Sequence, residues 1–384
     1  RIEKAAKFRY NDTCENRPFE THFIITELKK KERTGMRDTK PRKEITIYDI
    51  AQEAKVSPAT VSRVLTNSAH VSAEKRRSVE ALIRKYKFRP NAMARGLSDT
   101  KTHLLGIQVA DIRNPYYAAL AVECEKAASR RGYLTLLCNA LSDKKLEDAN
   151  LEKLYEQRVD AIIQVGCRVD DLVSDPSYVA HVNRISRQVP FIITGKLDGA
   201  NCYRLNIDDI KGMAMVMDYL FSLGHKKIAL IGGRKNVKST YDKRQQYVYL
   251  LGKNDLDFRE DYIQEGNYSE KDGYRCMINL LQIRPVPTAV IAVNDPTAVG
   301  ALKAALNHGL SVPKDLSIIS FDHTFLSEIA TPRLTSIDYD YPFFGQSLID
   351  IAIRAIGKED IPREQLITPT LVLGESCAPP LLPG

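Results

Sequence analysis

From Leu104 onward the chain alternates short apolar runs with amphipathic stretches, and this rhythm restricts the fold more than any other feature. Seven runs read as strands: Leu104–Val109, Tyr133–Cys138, Ala161–Val165, Phe191–Thr194, Ile228–Ile231, Ala289–Val293 and Leu316–Ser320. Helical patterns lie between most of them, including Tyr117–Arg130, Leu146–Arg158, Ile210–Leu223, Lys271–Leu281 and Thr297–Asn307. A βαβα order implies α/β architecture, with parallel strands covered by helices on both faces. So many strands in one stretch predict two doubly wound sheets, one per lobe. The expected division is an N-lobe over about 103–200 and 331–358 and a C-lobe over about 201–330 and 359–384. Ligands of open α/β sheets bind outside the carboxyl ends of the strands, so two facing lobes would enclose a shared cleft.

The net charge of +8 on 384 residues is unevenly spread. Residues 1–44 carry 13 Lys and Arg against 8 Asp and Glu, residues 45–102 carry 11 against 5, and the remainder carries 32 against 35. A basic front on a mildly acidic body suits a nucleic-acid reader joined to something else, although a solvated basic face would give the same count. Residues 1–44 are polar and weakly patterned, and disorder is expected there. Within them, Lys30-Lys-Glu-Arg-Thr-Gly-Met36 could be encoded by a purine-rich ribosome-binding stretch just before a start codon. Translation is therefore expected to begin at Met36.

No apolar run reaches the roughly 18 residues of a membrane-spanning helix. Arg1–Tyr10 is charged and lacks an apolar signal-peptide core, so a cytoplasmic protein is expected. The seven cysteines (14, 124, 138, 167, 202, 276 and 377) are scattered and form no C-x-x-C pair, which supports neither a disulfide framework nor a zinc site.

Residues 45–89 read as three short helices. Thr46-Ile-Tyr-Asp49 has the spacing of a helix cap, followed by an apolar stripe of Ile47, Ile50, Ala51 and Ala54. Ser57-Pro58 opens a second helix, with Ser as cap and Pro where a missing amide does no harm. Its apolar members are Val61, Val64 and Leu65. Ser72 is expected to cap a third helix carrying Val79, Leu82, Ile83 and Tyr86, which Phe88-Arg89-Pro90 stops. Two short helices across a tight turn, the second rich in hydroxyls, form a helix-turn-helix. Pro58, Ala59 and Arg63 can face base edges in a major groove, while Thr60 and Ser62 hydrogen-bond phosphates. A generic three-helix bundle is the bland alternative.

The run from Thr46 to Thr66 resembles the lactose-repressor type (LacI/GalR) of bacterial transcription regulators, and the resemblance extends to about Val372. It is carried by Asp49-Ile-Ala, Val56-Ser, Thr60-Val-Ser-Arg-Val-Leu, His70-Val-Ser and Arg89-Pro-Asn. It implies a headpiece over 45–89, a hinge helix and linker over 90–102, and a periplasmic-binding-protein-like body over 103–384. Thr46, Tyr48, Ser57, His70, Ser72 and Asn91 join the implied DNA-binding set. Leu97, in the hinge helix Asn91–Leu97, would wedge into the minor groove. Two departures stand out. Lys55 replaces the Gly usual in the turn, which costs on the order of 1 kcal/mol if the backbone is left-handed. Gly96 weakens the hinge helix by roughly 1 kcal/mol relative to Ala.

In the body, Asn114-Pro-Tyr-Tyr117 follows the first strand and starts its helix, so Tyr116 and Tyr117 would face the cleft. The resemblance adds Arg244 for ligand hydroxyls or carboxylates, although Tyr247 stands where a Gly is usual, and Tyr268 for stacking on a ring. Asn294-Asp295 and Phe321-Asp322 end strands and would bring polar groups to the crevice. Acceptor carboxylates, an Arg and stacking rings suit a small polyhydroxy or cyclic ligand such as a sugar. Asp208-Asp209 is expected to cap the helix starting at Ile210. No Gly-x-Gly-x-x-Gly follows a strand, no Walker motif occurs, and the seven histidines lack metal-ligand spacing, so neither enzyme nor cofactor is expected.

Together these features predict a repressor that binds a near-palindromic operator as a homodimer, with an effector in the cleft. The alternative is a cytosolic sugar-binding protein or sugar-active enzyme on the same body. The resemblance puts the dimer surface on the body, including the helix Phe343–Ile356. The tail from Gly374 has no heptads, so a coiled-coil tetramer is not expected. Mass spectrometry of the natural protein should detect no peptide from residues 1–35, and finding one overturns the Met36 start.

Overall fold

Helix α1 (Ile47–Glu53) starts at a reciprocal cap. Thr46 Oγ1 accepts from the Asp49 amide at 3.3 Å, and the Asp49 carboxylate accepts from the Thr46 amide at 2.7 Å. Helix α2 (Pro58–Leu65) follows the same logic, with Ser57 Oγ accepting from the Thr60 amide at 3.2 Å. Helix α3 (Ala73–Tyr86) departs from expectation: Ser72 stands at its cap, but the side chain makes no capping bond. Residues 72–75 are all exposed, so water can satisfy the first-turn amides.

The computed structural model describes residues 45–65, 71–88 and 101–381. The chain divides into two compact units on either side of the Ala94–Arg95 bond. The tail 1–44, His70, Asn91, Leu97 and the hinge segment all lie outside the described residues. Within the headpiece, Ile50, Ala51, Val61, Val64 and Val79 are buried, with Ile47, Ala54, Leu65, Leu82 and Ile83 packed around them. Tyr86, expected in that stripe, instead donates its hydroxyl to Glu53 at 2.7 Å, beside Lys85 Nζ at 2.8 Å from the same carboxylate. Bonds from Lys85 and then Tyr86 hold the Glu53 carboxyl below its usual range and tie α1 to α3. The turn between α1 and α2 passes through Lys55 at φ +53°, the left-handed backbone that its missing Gly would favour.

The body contains two six-stranded sheets. The first is ordered β11-β5-β4-β3-β1-β2, from β1 (Leu104–Val109), β2 (Leu134–Asn139), β3 (Ala161–Val165), β4 (Phe191–Thr194), β5 (Tyr203–Ile207) and β11 (Glu364–Ile367). The second is ordered β12-β10-β9-β8-β6-β7, from β6 (Ile228–Ile231), β7 (Ile263–Gln264), β8 (Ala289–Ala292), β9 (Ser317–Asp322), β10 (Thr335–Asp338) and β12 (Thr370–Val372). All pairings are parallel except β10 with β12. Strands β3, β4, β6 and β8 are buried throughout, as sheets covered on both faces require.

Helices α4 (Pro115–Arg130) and α12 (Tyr341–Ile356) cover one face of the first sheet, and α5 (Lys144–Glu156) and α6 (Pro176–Ser186) pack into the apolar cluster on the other. In the second lobe, α7 (Asp209–Ser222) packs on α8 (Lys238–Lys253), and α9 (Glu270–Leu281) on α10 (Asp295–Asn307). The short α11 (Phe325–Ile329) follows β9. One apolar core runs through both lobes, from Leu120 and Phe344 to Met217 and Tyr247.

Two expectations need correcting. The lobe boundaries at 200 and 331 each fall one strand early: β5 pairs with β4 in the first sheet, and β10 with β9 in the second. The segment after 358 is likewise shared, β11 closing the edge of the first sheet and β12 that of the second. Helix α12 buries Phe344, Leu348, Ile349 and Ala352 within its own lobe and leaves Phe343 exposed. Substituting Lys55→Gly should relieve the left-handed turn and stabilise the headpiece by about 1 kcal/mol, read as a higher midpoint of its unfolding transition. An unchanged or lower midpoint would show that the lysine side chain offsets the strain.

Candidate functional site

On the headpiece, burial of Val61 and Val64 turns the other side of α2 outward. Ala59 and Arg63 are exposed there and Ser62 is half-buried, a set spaced i, i+3, i+4 on one helical face. Pro58 is half-buried in the first turn and Tyr48 is exposed on α1. The Thr60 hydroxyl shares a 3.0 Å hydrogen bond with Ser57 Oγ, so both hydroxyls already serve the helix start and retain only part of their bonding capacity.

In the body, the backbone crosses between the sheets three times: from β5 into α7, from β10 into α12, and from β11 into β12. Between the lobes lies a cavity of about 680 Å³. Five of the seven expected ligand residues line it: Tyr116, Tyr117, Tyr268, Asn294 and Asp322. Asn114 caps α4, accepting from the Tyr116 amide at 3.1 Å with Pro115 in the first turn, which sets both tyrosines at the helix mouth. Tyr117 lies over Gly166, where a Cβ would come within 2.5 Å of its hydroxyl oxygen and φ is +76°. Tyr116 meets Tyr339 and Tyr341 edge-on, each at 6.1 Å between ring centroids. From the other lobe, Tyr268 shares a 2.8 Å hydrogen bond with Thr240, and Asn294 Nδ2 donates to the Tyr268 carbonyl at 3.2 Å.

Arg244 and Asp295 do not line the cavity. Arg244 points to Glu260 at 2.7 Å and Glu265 at 3.4 Å. One residue earlier on α8, and about 100° round the helix, Lys243 lines the cavity instead. It is buried, paired with Asp209, and set 4.8 Å from the Phe321 ring centroid. The burial of Thr240, Lys243 and Tyr247 at helical spacing is the pattern that would have chosen it. Asp295 is a fully buried structural carboxylate, accepting from Ser320 Oγ at 2.6 Å, Thr324 Oγ1 at 2.8 Å, the Thr324 amide and Ser336 Oγ at 3.1 Å. The adjacent aspartates divide their roles: Asp208 caps α7, accepting from the Lys211 amide at 2.9 Å, and Asp209 holds Lys243.

The cleft carboxyl groups are strained electrostatically. Burial and then the Asp295 charge hold Asp322 well above the usual range, against the pull of Lys243 and a bond from Tyr339. Asp170, absent from the sequence reading, ends a short 3-10 turn after β3 and lines the cavity. Burial, then the neighbouring Asp209, push its carboxyl up to about 7. Its position past a strand's carboxyl end was the available clue. Burial pushes Tyr268 up to about 12, with Asp170 adding to the effect. The Cys167 thiol is likewise raised by burial. Among the described residues no group of three or more His, Cys, Asp or Glu side chains could hold a metal ion, and no helix is long and apolar enough to cross a membrane.

A helix-turn-helix headpiece on the same chain as a two-lobed α/β body with a cavity between its sheets defines a class of DNA-binding transcriptional regulators. The pattern of bacterial regulatory proteins of the lacI family matches residues 46–91, and that of a periplasmic binding protein-like domain matches residues 217–377. Catabolite control protein A of Staphylococcus xylosus is 33% identical over 331 residues, covering 85% of this chain and 96% of the relative. The crystal structure of the Lac repressor dimer bound to operator and the anti-inducer ONPF superposes with a TM-score of 0.78 at 26% identity, covering 88% of this chain and all of that one. The transcription regulator CcpA of Lactococcus lactis gives 0.65 at 25% identity, over 71% and 98%. The chain belongs to the lacI family of bacterial regulatory proteins.

Because the Asp170 pKa rises from 3.8 to about 7 on folding, the native state holds that proton more tightly than the unfolded chain does. Its contribution to stability therefore falls as pH rises through that window. In Asp170→Asn the penalty disappears, so the variant's Tm relative to wild type should climb between about pH 4 and pH 7. A constant difference would place the Asp170 proton elsewhere.

Proposed function

We propose that this protein is a sequence-specific transcriptional repressor that acts as a homodimer in the cytoplasm and reads a near-palindromic operator. The observation that carries the reading is the α2 face of Ala59, Ser62 and Arg63, opposite the buried Val61 and Val64. A helix so divided can lie in a major groove with Pro58, Ala59 and Arg63 toward base edges while Ser62 and Thr60 reach phosphates. Thr46, Tyr48, Ser57, His70, Ser72 and Asn91 complete the proposed contact set, and Leu97 supplies the minor-groove wedge.

The second half of the proposal is control by a small polyhydroxy or cyclic effector, of the sugar type, in the interlobe cavity. Tyrosine walls with Asn294, Asp322 and Lys243 offer ring stacking together with donors and acceptors, the usual make-up of such sites. Lys243 takes the role expected of Arg244, and Asp295 supports the site from behind without touching the ligand. An effector that prefers one closure state of the lobes shifts the population, and the hinge segment transmits that shift as a change in operator affinity. In this reading the cleft binds and releases its effector chemically unchanged.

The test is binding of the full chain to operator DNA selected from random sequence. The logarithm of affinity should fall linearly with the logarithm of salt concentration as counterions are released. Arg63→Ala should weaken specific binding by roughly 1–3 kcal/mol. A flat salt dependence argues against DNA as the partner, and unchanged specific affinity removes Arg63 from the interface.

A further inference from the structure

The charge balance of the cavity is uneven in one place. Five cations line it and already have carboxylate partners: Lys243 with Asp209, Arg168 with Glu147, Lys238 with Asp242, Lys144 with Asp171 at 3.9 Å, and Lys196 with Asp198. Arg234 is exposed and acts on Asp170 and Asp171 only through its field. Asp170 differs from most of the other cleft carboxylates. Among the described residues, no hydrogen bond or ion pair reaches its side chain, whereas Asp171, Asp209 and Asp242 are each paired with a lysine and Asp208 is bonded by its helix. A half-buried carboxylate with no donor from the protein is left to find its partners in the cavity it lines.

Asp170 also sits among aromatic rings from both lobes. Tyr116 and Tyr117 on one side and Tyr268 on the other are half-buried, line the same cavity, and each feels its charge. Tyrosine faces attract cations, and rings grouped about an acceptor form the kind of cage that holds an ammonium group. A neutral hydroxyl can donate one bond to such an acceptor, but an ammonium also cancels its charge and so relieves the repulsion from Asp209.

Resting on the reading of the cavity as an effector site, we propose that the effector carries a protonated amine, and that Asp170 receives it within the ring formed by Tyr116, Tyr117 and Tyr268. The ligand class is thus a small polyhydroxy or cyclic amine, such as an amino sugar, and not a neutral sugar. The amine completes the hydrogen bonding of Asp170 from inside the cavity, while hydroxyls on the rest of the molecule have Asn294, Asp322 and Lys243 for partners.

Calorimetric titration of the full chain with matched sugars tests this: glucosamine, galactosamine and mannosamine, each against its parent hexose and its N-acetyl derivative. In at least one series the amine should bind about tenfold tighter than both neutral counterparts. The isosteric variant Asp170→Asn should bring that preference to within about threefold, and Tyr117→Leu should reduce it independently should the first variant fold poorly. Parent hexoses binding as well as their amines overturns the amine inference while leaving the effector reading intact. Asp170→Asn keeping the full preference overturns the assignment to Asp170. If none of the sugars binds, both the amine inference and the sugar character of the effector fall, whereas operator binding is judged separately.

Discussion

The body depends on the backbone passing between its two sheets three times. Each passage leaves the carboxyl end of a strand and enters the other lobe, which brings strand ends, helix starts and charged side chains to one seam. Asp208 and Asp209 lie at the first passage, and Tyr339 and Tyr341 at the second. The Lys243–Asp209 pair ties α8 to that first passage, while the Tyr341 hydroxyl, donating to the Asp322 carbonyl at 2.9 Å, ties the second passage to β9. The cavity is therefore built by the connections between lobes as much as by the lobes themselves.

Two aspartates, one buried and one half-buried, show how environment divides structural from binding roles. Asp295 accepts four hydrogen bonds and holds the start of α10 to β9 and β10; its acceptor capacity is spent inside the protein. Asp170 accepts none and faces the cavity. A similar contrast underlies the cavity on the first-lobe side. Arg168 and Glu147 form a buried pair at 2.9 Å, completed by Gln164, which donates to Glu147 at 2.5 Å, and by the Tyr178 ring 3.7 Å from the guanidinium. A buried pair supplied with further partners holds its geometry, because losing one member strands the other's charge.

Much of the fold was legible because the central strands are nearly unbroken apolar runs. Leu104–Val109, Ala161–Val165, Phe191–Thr194 and Ile228–Ile231 form strands with the bounds expected of them. The strands that escaped notice are polar or at edges. Tyr-Arg-Leu-Asn-Ile in β5 and Thr-Ser-Ile-Asp in β10 lack that run, and their omission shifted the lobe boundaries. The headpiece was readable in more detail, since caps and apolar spacing act locally; Ser72 failed only because an exposed helix start needs no side-chain partner. For the cleft, strand-end position identified Asn294 and Asp322 but could not separate Asp295, whose partners come from three distant segments. Choosing between Lys243 and Arg244 required the rotational phase of α8, which only packing determines.

The last residues also govern how the body can be made. Strand β11 closes the edge of the first sheet and β12 that of the second, and both lie beyond residue 363. Past them, Ser376 Oγ accepts from the Thr335 amide at 2.9 Å, and Ala378 is bonded to both Ser317 and His225. Neither sheet can gain its outer strand until the ribosome has delivered this stretch, although β1 and β2 were synthesised more than two hundred residues earlier. Until then β5 and β10 are themselves edge strands, with the unpaired backbone on which strands of unrelated chains pair most readily. Folding yield in the cell should thus be set by the far end of the chain, a long way in sequence from the residues that read DNA.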